Sequence, residues 1–370
     1  MISNLFLYTE IKIFKNISLC YTNTIKTAEQ YFSDKQGSDK MATINDVAKL
    51  AGVSRGTVSN VINNVKVRKE SYIAVKKAIE ELGYVPNQYA RALKTNKTNT
   101  VALILPTIWN PFFSELTYHV EKEAGKRGYK LLLCNSNDDY KVELTYIAMA
   151  KENKVDGIIS ITYSDIEPYL SSKIPIVTLE RNYGDGTPFI TCENINGGKM
   201  AAEELVKAGC KRILCIGRSS AKNTGVKDRA VGFKQYCEEN NIEHEVFYSN
   251  NPDEIKQDFS LWIKNYITEN FAQEKKFDGI FTVTDRYAQR IIDNLAEFNL
   301  NVPEDVQIIG YDGAKSYKNE ITKITTIRQP IEKLAEEAVK SLDTLINGGT
   351  APKQTILPVS FIQGETTVHK

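Results

Sequence analysis

Hydrophobic and polar positions change their period abruptly along this chain. From Thr43, a plausible N-cap, Ile44, Val47, Ala48 and Ala51 recur at helical spacing. Gly52 supplies a tight turn, Val53 points toward the core, and Ser54 caps a second helix with Val58, Val61 and Ile62 on its inner face. After the polar stretch Asn63 to Glu70, Val75, Ala78, Ile79 and Leu82 mark a third helix. Gly83 stands where a C′ residue belongs, and Pro86 forbids continuation. Residues 41–86 therefore read as three short helices.

From Val101 onward, apolar runs alternate with amphipathic helices. Strands are expected at Val101–Leu105, Tyr129–Cys134, Gly157–Ile161, Ile176–Leu179, Ile213–Ile216, Gly279–Val283 and Gln307–Tyr311. Helices such as Phe113–Arg127, Met200–Lys207, Ala230–Glu239 and Ala288–Phe298 lie between them. Such alternation implies parallel sheets with helices on both faces. Residues 101–370 exceed what one sheet needs, so two lobes are expected. The first is placed at about 101–192 and 328–352, the second at about 193–327 and 353–370.

Residues 1–40 show no sustained period and end in the polar run Lys35 to Lys40. Either they form a disordered extension, or translation starts at Met41. The chain lacks an apolar run near the ~20 residues that span a membrane. It also lacks a basic segment followed by an apolar stretch and a small-residue cleavage site, so the cytoplasm is the expected location.

Charge sharpens the division. Residues 41–100 hold ten Lys/Arg against four Asp/Glu, a net +6, whereas 101–370 carry −6. A basic module on a mildly acidic body meets nucleic acid through the module alone. The six cysteines (Cys20, Cys134, Cys192, Cys210, Cys215, Cys237) form no CxxC pair, and His119, His244 and His369 are isolated. Neither a metal site, a disulfide framework nor a catalytic triad has support, and no cofactor is expected.

Thr43 to Asn63 (TINDVAKLAGVSRGTVSNVIN) has the form of a helix-turn-helix, whose second helix lies in the major groove with its N-terminal residues at the base edges. That helix offers Arg55, Gly56, Thr57, Ser59 and Asn60. Arginine bonds guanine bidentately, and asparagine bonds adenine. The short polar side chains of Thr43, Asn45, Ser54, Thr57, Ser59 and Asn63 suit phosphate contacts that fix register.

This segment resembles the headpiece of the lactose-repressor (LacI/GalR) family, and the likeness runs on to the end of the chain. Tyr84-Val85-Pro86-Asn87 with Tyr89-Ala90-Arg91-Ala92-Leu93 is similar to the family's hinge helix. Further on come Asn110-Pro111-Phe112-Phe113, Val155-Asp156-Gly157-Ile158-Ile159, Asp228-Arg229 with Gly232-Phe233, Val302-Pro303 and Ile309-Gly310-Tyr311-Asp312. Thr325-Thr326-Ile327-Arg328-Gln329-Pro330 and Leu357-Pro358 complete the series in the family's order.

The resemblance implies an all-α helix-turn-helix headpiece over 41–86, a hinge helix and linker over 87–100, and an effector-binding and dimerising α/β sensor over 101–370. The sensor is expected to fold like the two-lobed periplasmic sugar-binding proteins. It further implies a dimer on a pseudo-palindromic operator, with hinge helices in the minor groove at its centre. Asn87 lies in the hinge motif, Ala90 falls where an alanine approaches that groove, and Leu93 where a leucine wedges into the central base step. Arg55, Gly56 and Asn60 fall where the family varies its base-reading side chains. One departure is the loop between Asn64 and Glu70, one residue shorter than in the lactose repressor, which leaves the phosphate roles of Lys66 and Arg68 open. No leucine heptad follows Glu365-Thr366-Thr367, so a dimer is expected rather than a tetramer.

In open parallel sheets, ligands bind beyond the carboxyl ends of strands. Phe112 and Phe113 follow the first strand, where a ring can stack on a sugar or a planar base. By resemblance, Arg229 grips an effector hydroxyl or carbonyl, and Asp312 accepts hydroxyl hydrogen bonds. Thr284 stands where the family commonly has asparagine, and Arg181, after Leu179-Glu180, is a further candidate. The function implied is a repressor of a carbohydrate-utilisation operon, controlled by a sugar or sugar derivative. A purine- or other metabolite-responsive regulator of the same family is the alternative. A Rossmann enzyme would want GxGxxG after the first strand, where this chain has Pro106-Thr107-Ile108.

Overall fold

The computed structural model describes residues 42–85, 97–137, 139–152, 155–162, 174–183, 186–218, 225–249, 259–271 and 275–368. Residues 1–40 and the hinge positions Asn87, Ala90 and Leu93 lie outside the described residues. The chain divides between Ala90 and Arg91 into two compact units.

The first unit holds helices α1 (Ile44–Leu50), α2 (Arg55–Ile62) and α3 (Lys69–Leu82). Thr43 and Asp46 close a capping box: the Thr43 hydroxyl accepts from the Asp46 amide at 3.4 Å, and the Asp46 carboxylate accepts from the Thr43 amide at 2.8 Å. Gly52 turns the chain in the left-handed region, at φ 64°. Ser54 then caps α2 by accepting from the Thr57 amide at 3.1 Å. Val47, Val58, Val61, Val75 and Ala78 form the core, with Val53, Ile79 and Leu82 half-buried against it. Helices this short are marginal alone, so this shared core is what holds them.

The second unit contains two six-stranded sheets. The first sheet has the order β11-β5-β4-β3-β1-β2, from β1 (Thr100–Leu105), β2 (Lys130–Asn135), β3 (Gly157–Ser160), β4 (Ile176–Leu179), β5 (Phe189–Cys192) and β11 (Gln354–Leu357). The second has the order β12-β10-β9-β8-β6-β7. It comprises β6 (Arg212–Arg218), β7 (Glu243–Ser249), β8 (Gly279–Thr282), β9 (Gln307–Asp312), β10 (Thr326–Arg328) and β12 (Ser360–Ile362). All pairs are parallel except β10 with β12. Apolar runs such as Val101–Leu105 are buried, as helix-covered parallel sheets require.

Helices α4 (Pro111–Lys126), α5 (Tyr140–Lys151) and α10 (Ile331–Ile346) serve the first sheet. Helices α6 (Asn194–Lys207), α7 (Gly225–Glu239), α8 (Phe259–Phe271) and α9 (Asp285–Ala296) serve the second. The chain passes between the sheets after β5, after β10 and between β11 and β12. One boundary differs from expectation. Residues 354–357, assigned to the second lobe, pair with β5 in the first sheet, so the last crossing falls between Leu357 and Ser360. This edge strand, Gln354-Thr355-Ile356-Leu357, alternates between exposed and half-buried positions without a matching alternation in polarity, so nothing in its pattern says which sheet it joins.

Helices α6 and α7 lie unusually close. A Cβ on Gly198 would sit 1.9 Å from the Arg229 carbonyl oxygen, and one on Gly232 would sit 1.9 Å from that of Ile195. Only hydrogen fits at either position, and this approach carries Arg229 to the carboxyl ends of the strands.

Candidate functional site

On the reading unit, the buried Val58 and Val61 face of α2 turns the opposite face outward. Arg55, Gly56 and Asn60 are exposed, as are Asn45 and Asn63 on the flanks, while Thr57 and Ser59 are half-buried. Among the described residues, the Arg55 and Asn60 side chains make no hydrogen bond, so both are free to meet a partner. Other candidates are partly engaged. The Thr43 hydroxyl donates to Asp46 at 2.7 Å, the Ser54 and Thr57 hydroxyls pair at 3.0 Å, and the Asn63 amide donates to the Ser59 carbonyl at 2.8 Å. These bonds hold the helix ends and leave acceptor lone pairs free, while the Asn63 amide also donates to the Ser59 hydroxyl at 3.4 Å.

In the sensor, the focus is Arg229, only 3% exposed. Its Nε donates to Asn194 Oδ1 at 2.9 Å; its Nη1 donates to the Val283 carbonyl at 2.8 Å and to Asp312 Oδ1 at 3.2 Å. Its Nη2 lies 3.6 Å from Glu180 Oε2. The guanidinium also stacks over Tyr311, 3.8 Å from the ring centre. Asn194 is the hub, since its amide donates to Glu180 at 3.2 Å while its oxygen accepts from the Tyr311 hydroxyl at 3.1 Å. Gln329 donates to Asp312 Oδ1 at 2.8 Å.

Two features of this cluster are unusual for an ion pair. Both carboxylates sit on backbone in the positive-φ region, Glu180 at 61° and Asp312 at 111°. That conformation costs a non-glycine residue about 1–3 kcal/mol, and such strain gathers at functional sites. In addition, Gln329 Oε1, Thr284 Oγ1 and Ser160 Oγ are buried without a hydrogen-bond partner among the described residues. Buried polar atoms without a partner are uncommon, and beside strand ends they mark candidate ligand contacts.

The electrostatics fit that view. Burial raises the Asp312 carboxyl to about 6, against the pull of Arg229. Burial likewise raises Glu180, opposed first by Arg229. Burial works against the Arg229 charge, but Tyr311, Asp312 and Glu180 outweigh it and hold the guanidinium firmly protonated. Asp285, the first residue of α9, accepts from Thr326 Oγ1 at 2.6 Å and from the Gly313 amide at 2.7 Å. It thereby positions the turn that follows Asp312. Burial and then the Asp312 charge push its carboxyl well up.

Of the expected effector residues, Arg229 and Asp312 are brought into contact. Thr284 is the N-cap of α9, but its hydroxyl makes no capping bond. The Arg181 guanidinium stacks on Tyr183, 5.0 Å from the ring centre. Phe112 and Phe113 pack edge to face at 5.3 Å, both buried in the core at the start of α4. Sequence reasoning missed Glu180, Asn194, Asp285 and Gln329. An acid directly after the β4 run and a glutamine after β10 were the available signals. Among the described residues no group of three His, Cys, Asp or Glu side chains could hold a metal, and no helix is long and apolar enough to cross a membrane.

Comparison with known proteins places both units. Residues 43–87 match the model of bacterial regulatory proteins of the lacI family, and residues 202–367 match a periplasmic binding protein-like domain. The chain is 36% identical over 328 residues to the sucrose operon repressor of Streptococcus mutans, covering 88% of this chain and 99% of that protein. It is 34% identical over 331 residues to the ribose operon repressor of Bacillus subtilis, with coverage of 88% and 99%. A crystal structure of a periplasmic binding protein/LacI transcriptional regulator from Alkaliphilus metalliredigens, complexed with D-xylulofuranose, superposes with a TM-score of 0.63. The two are 30% identical, over 73% of this chain and all of the other.

Proposed function

Because this chain belongs to the lacI family of bacterial regulatory proteins, we propose that it represses a carbohydrate-utilisation operon, with operator binding set by a sugar or sugar derivative. The observation that carries the effector half is the Arg229 cluster. A fixed donor fork, two carboxylates on strained backbone and the unpaired Gln329 oxygen are what a polyol needs for orientation. The names of the relatives, repressors of sucrose and ribose operons, favour a carbohydrate over a purine.

The protein acts as a dimer on a pseudo-palindromic operator in the cytoplasm, at the nucleoid. Arg55 and Asn60 read base edges, and Gly56 lets the helix approach closely. The polar groups of Thr43, Asn45, Ser54, Thr57, Ser59 and Asn63 set register on phosphates. The paired hinges, with Asn87, Ala90 and Leu93, enter the minor groove at the operator centre. In the sensor, Arg229, Asp312, Thr284 and Arg181 orient the effector, while Phe112 and Phe113 supply the apolar wall. No residue carries a chemical step.

The test is selection of duplexes from a random pool by the full-length protein, followed by anisotropy titration of the winner with and without a panel of sugars. A palindromic consensus whose affinity one sugar shifts by about tenfold is expected, within the usual span of allosteric coupling. Binding without sequence preference, or a preference that no sugar moves, would overturn the assignment.

A further inference from the structure

Beside Asp312 the cleft opens into a cavity of about 550 Å³ whose wall carries Arg286, Arg290, Lys315 and Lys323. Trp109, 93% exposed, stands on the opposite wall at the end of the first sheet. Among the described residues, none of the four cationic side chains makes a hydrogen bond or ion pair. The carboxylates of the same wall are all engaged. Asp312 is held by Arg229 and Gln329, Asp285 by Thr326 and the Gly313 amide, Asp293 by Gln289, and Glu320 by the Ser316 amide. With Asp312 paired to Arg229, the wall holds four cations without an ion-pair partner against three further carboxylates, a small positive excess.

The placement of the arginines is costly for α9 itself. Arg286 lies in the first turn, where the helix dipole disfavours cations. Arg290 follows four residues later, and like charges at that spacing repel on one helix face. The Thr284 hydroxyl, which an N-cap would direct to the first-turn amides, makes no bond at all. Local rules broken together at one place mark a functional surface. A bound anion relieves the repulsion between the two arginines and the conflict of Arg286 with the helix dipole. Lys315 is also held in place, because its amide donates to Glu115 of α4 at 2.7 Å, and the same carboxylate accepts from Arg328 at 2.8 Å.

We propose that the effector is an anionic sugar, with its polyol at Arg229 and Asp312 and its phosphate or carboxylate in the Arg286–Arg290–Lys315–Lys323 cavity. This rests on the carbohydrate reading and narrows it to a charged class. Trp109 covers the sugar ring between the two subsites.

Calorimetric titration of the full-length protein at low salt tests the idea with matched ligands: D-glucose, D-glucose 6-phosphate and D-gluconate; D-fructose and D-fructose 6-phosphate; D-ribose and D-ribose 5-phosphate. At least one anion should bind about tenfold or more tighter than its neutral parent, and the advantage should shrink as salt is added. In an Arg286→Gln/Arg290→Gln protein the advantage should vanish while the neutral parent binds as before. Preference for the phosphate over gluconate assigns the cavity to phosphate, and the reverse assigns it to carboxylate. A neutral sugar that binds as tightly as its anion, or a preference that survives the double substitution, overturns the anion subsite and leaves sugar-controlled repression standing. Failure of every neutral and charged sugar to bind or to move operator affinity overturns both.

Discussion

Arg229, on α7 of the second lobe, reaches to within 3.6 Å of Glu180, which directly follows β4 of the first lobe. A ligand that engages Arg229 therefore acts on one of the contacts that join the two lobes. A second bridge runs from Glu115 on α4 to Arg328 at the end of β10, at 2.8 Å. With charge pairs on both flanks of the cleft, a small movement of one side chain alters the balance between lobe positions. Allosteric control requires such differential contacts in its two states.

Arg229→Ala should abolish the effector response. It strands Glu180 and Asp312 in a buried site, and removing one partner of a buried pair costs about 3–5 kcal/mol. The sensor's thermal midpoint should therefore fall, which calorimetry measures directly. Arg229→Lys keeps the charge but loses the fork, and should retain most stability while losing about tenfold or more in effector affinity. Normal effector binding by the lysine variant would show that the fork is not the grip.

Effector affinity should fall in acid. Hydroxyls donate far more strongly to Asp312 while it is ionised, and its carboxyl is raised to about 6. Between pH 7 and 5 the effector Kd should rise by about tenfold. The stability effect has the opposite sign. A carboxyl raised above its unfolded value takes its proton first in the folded state, so protonation as pH falls through 6 favours the empty fold. Glu180 and Asp285, also raised, titrate against the same cluster and broaden the transition. Asp312→Asn should bind weakly at every pH and flatten the profile. An unchanged slope in that variant would assign the proton elsewhere.

The periodic parts of this chain were legible and the unpaired geometry was not. The alternating runs marked seven strands and the three headpiece helices, because burial on one or both faces leaves a period behind. Strand β10 (TIR) is too short to show one, and β7 (EHEVFYS) mixes polar and apolar residues along a half-buried edge. Arg229 and Asp312 were found through the family's motifs. Glu180 and Asn194 were missed because what makes them partners is a left-handed backbone turn and a close helix crossing. Neither leaves a spacing that can be read along the chain. Gln329 stood inside a recognised motif, yet its role depends on β10 lying beside β9.

The α6–α7 crossing offers a test of how Arg229 is placed. Gly198→Ala puts a methyl 1.9 Å from the Arg229 carbonyl, so the helices must separate. Overpacking of this kind costs about 1–3 kcal/mol. Thermal stability and effector affinity should fall together, because Arg229 moves with its helix. Gly125→Ala, at an exposed position on α4 with no atom near the added methyl, should be neutral or stabilise by up to about 1 kcal/mol. Loss of stability without loss of affinity in Gly198→Ala would mean the cluster adjusts independently of the crossing.

The reading helix makes the last prediction, and two substitutions at one site resolve it. Arg55 is exposed at the first position of α2, with no hydrogen bond among the described residues to divert it. If it bonds a guanine with both arms of its fork, Arg55→Ala should cost about 1–3 kcal/mol on the preferred operator and relax preference at one symmetric pair of positions. Arg55→Lys retains the charge, so nonspecific affinity and its salt dependence should stay near the original while selectivity at that pair still drops. Lys49, exposed in the last turn of α1, is the contrasting case. Its replacement by alanine should weaken all duplexes alike and lower the slope of log affinity against log salt by up to about 1. Selection from a random pool with each variant separates these outcomes. If Arg55→Ala returns the original consensus, Arg55 contacts the backbone rather than the bases, and the reading role passes to Asn60.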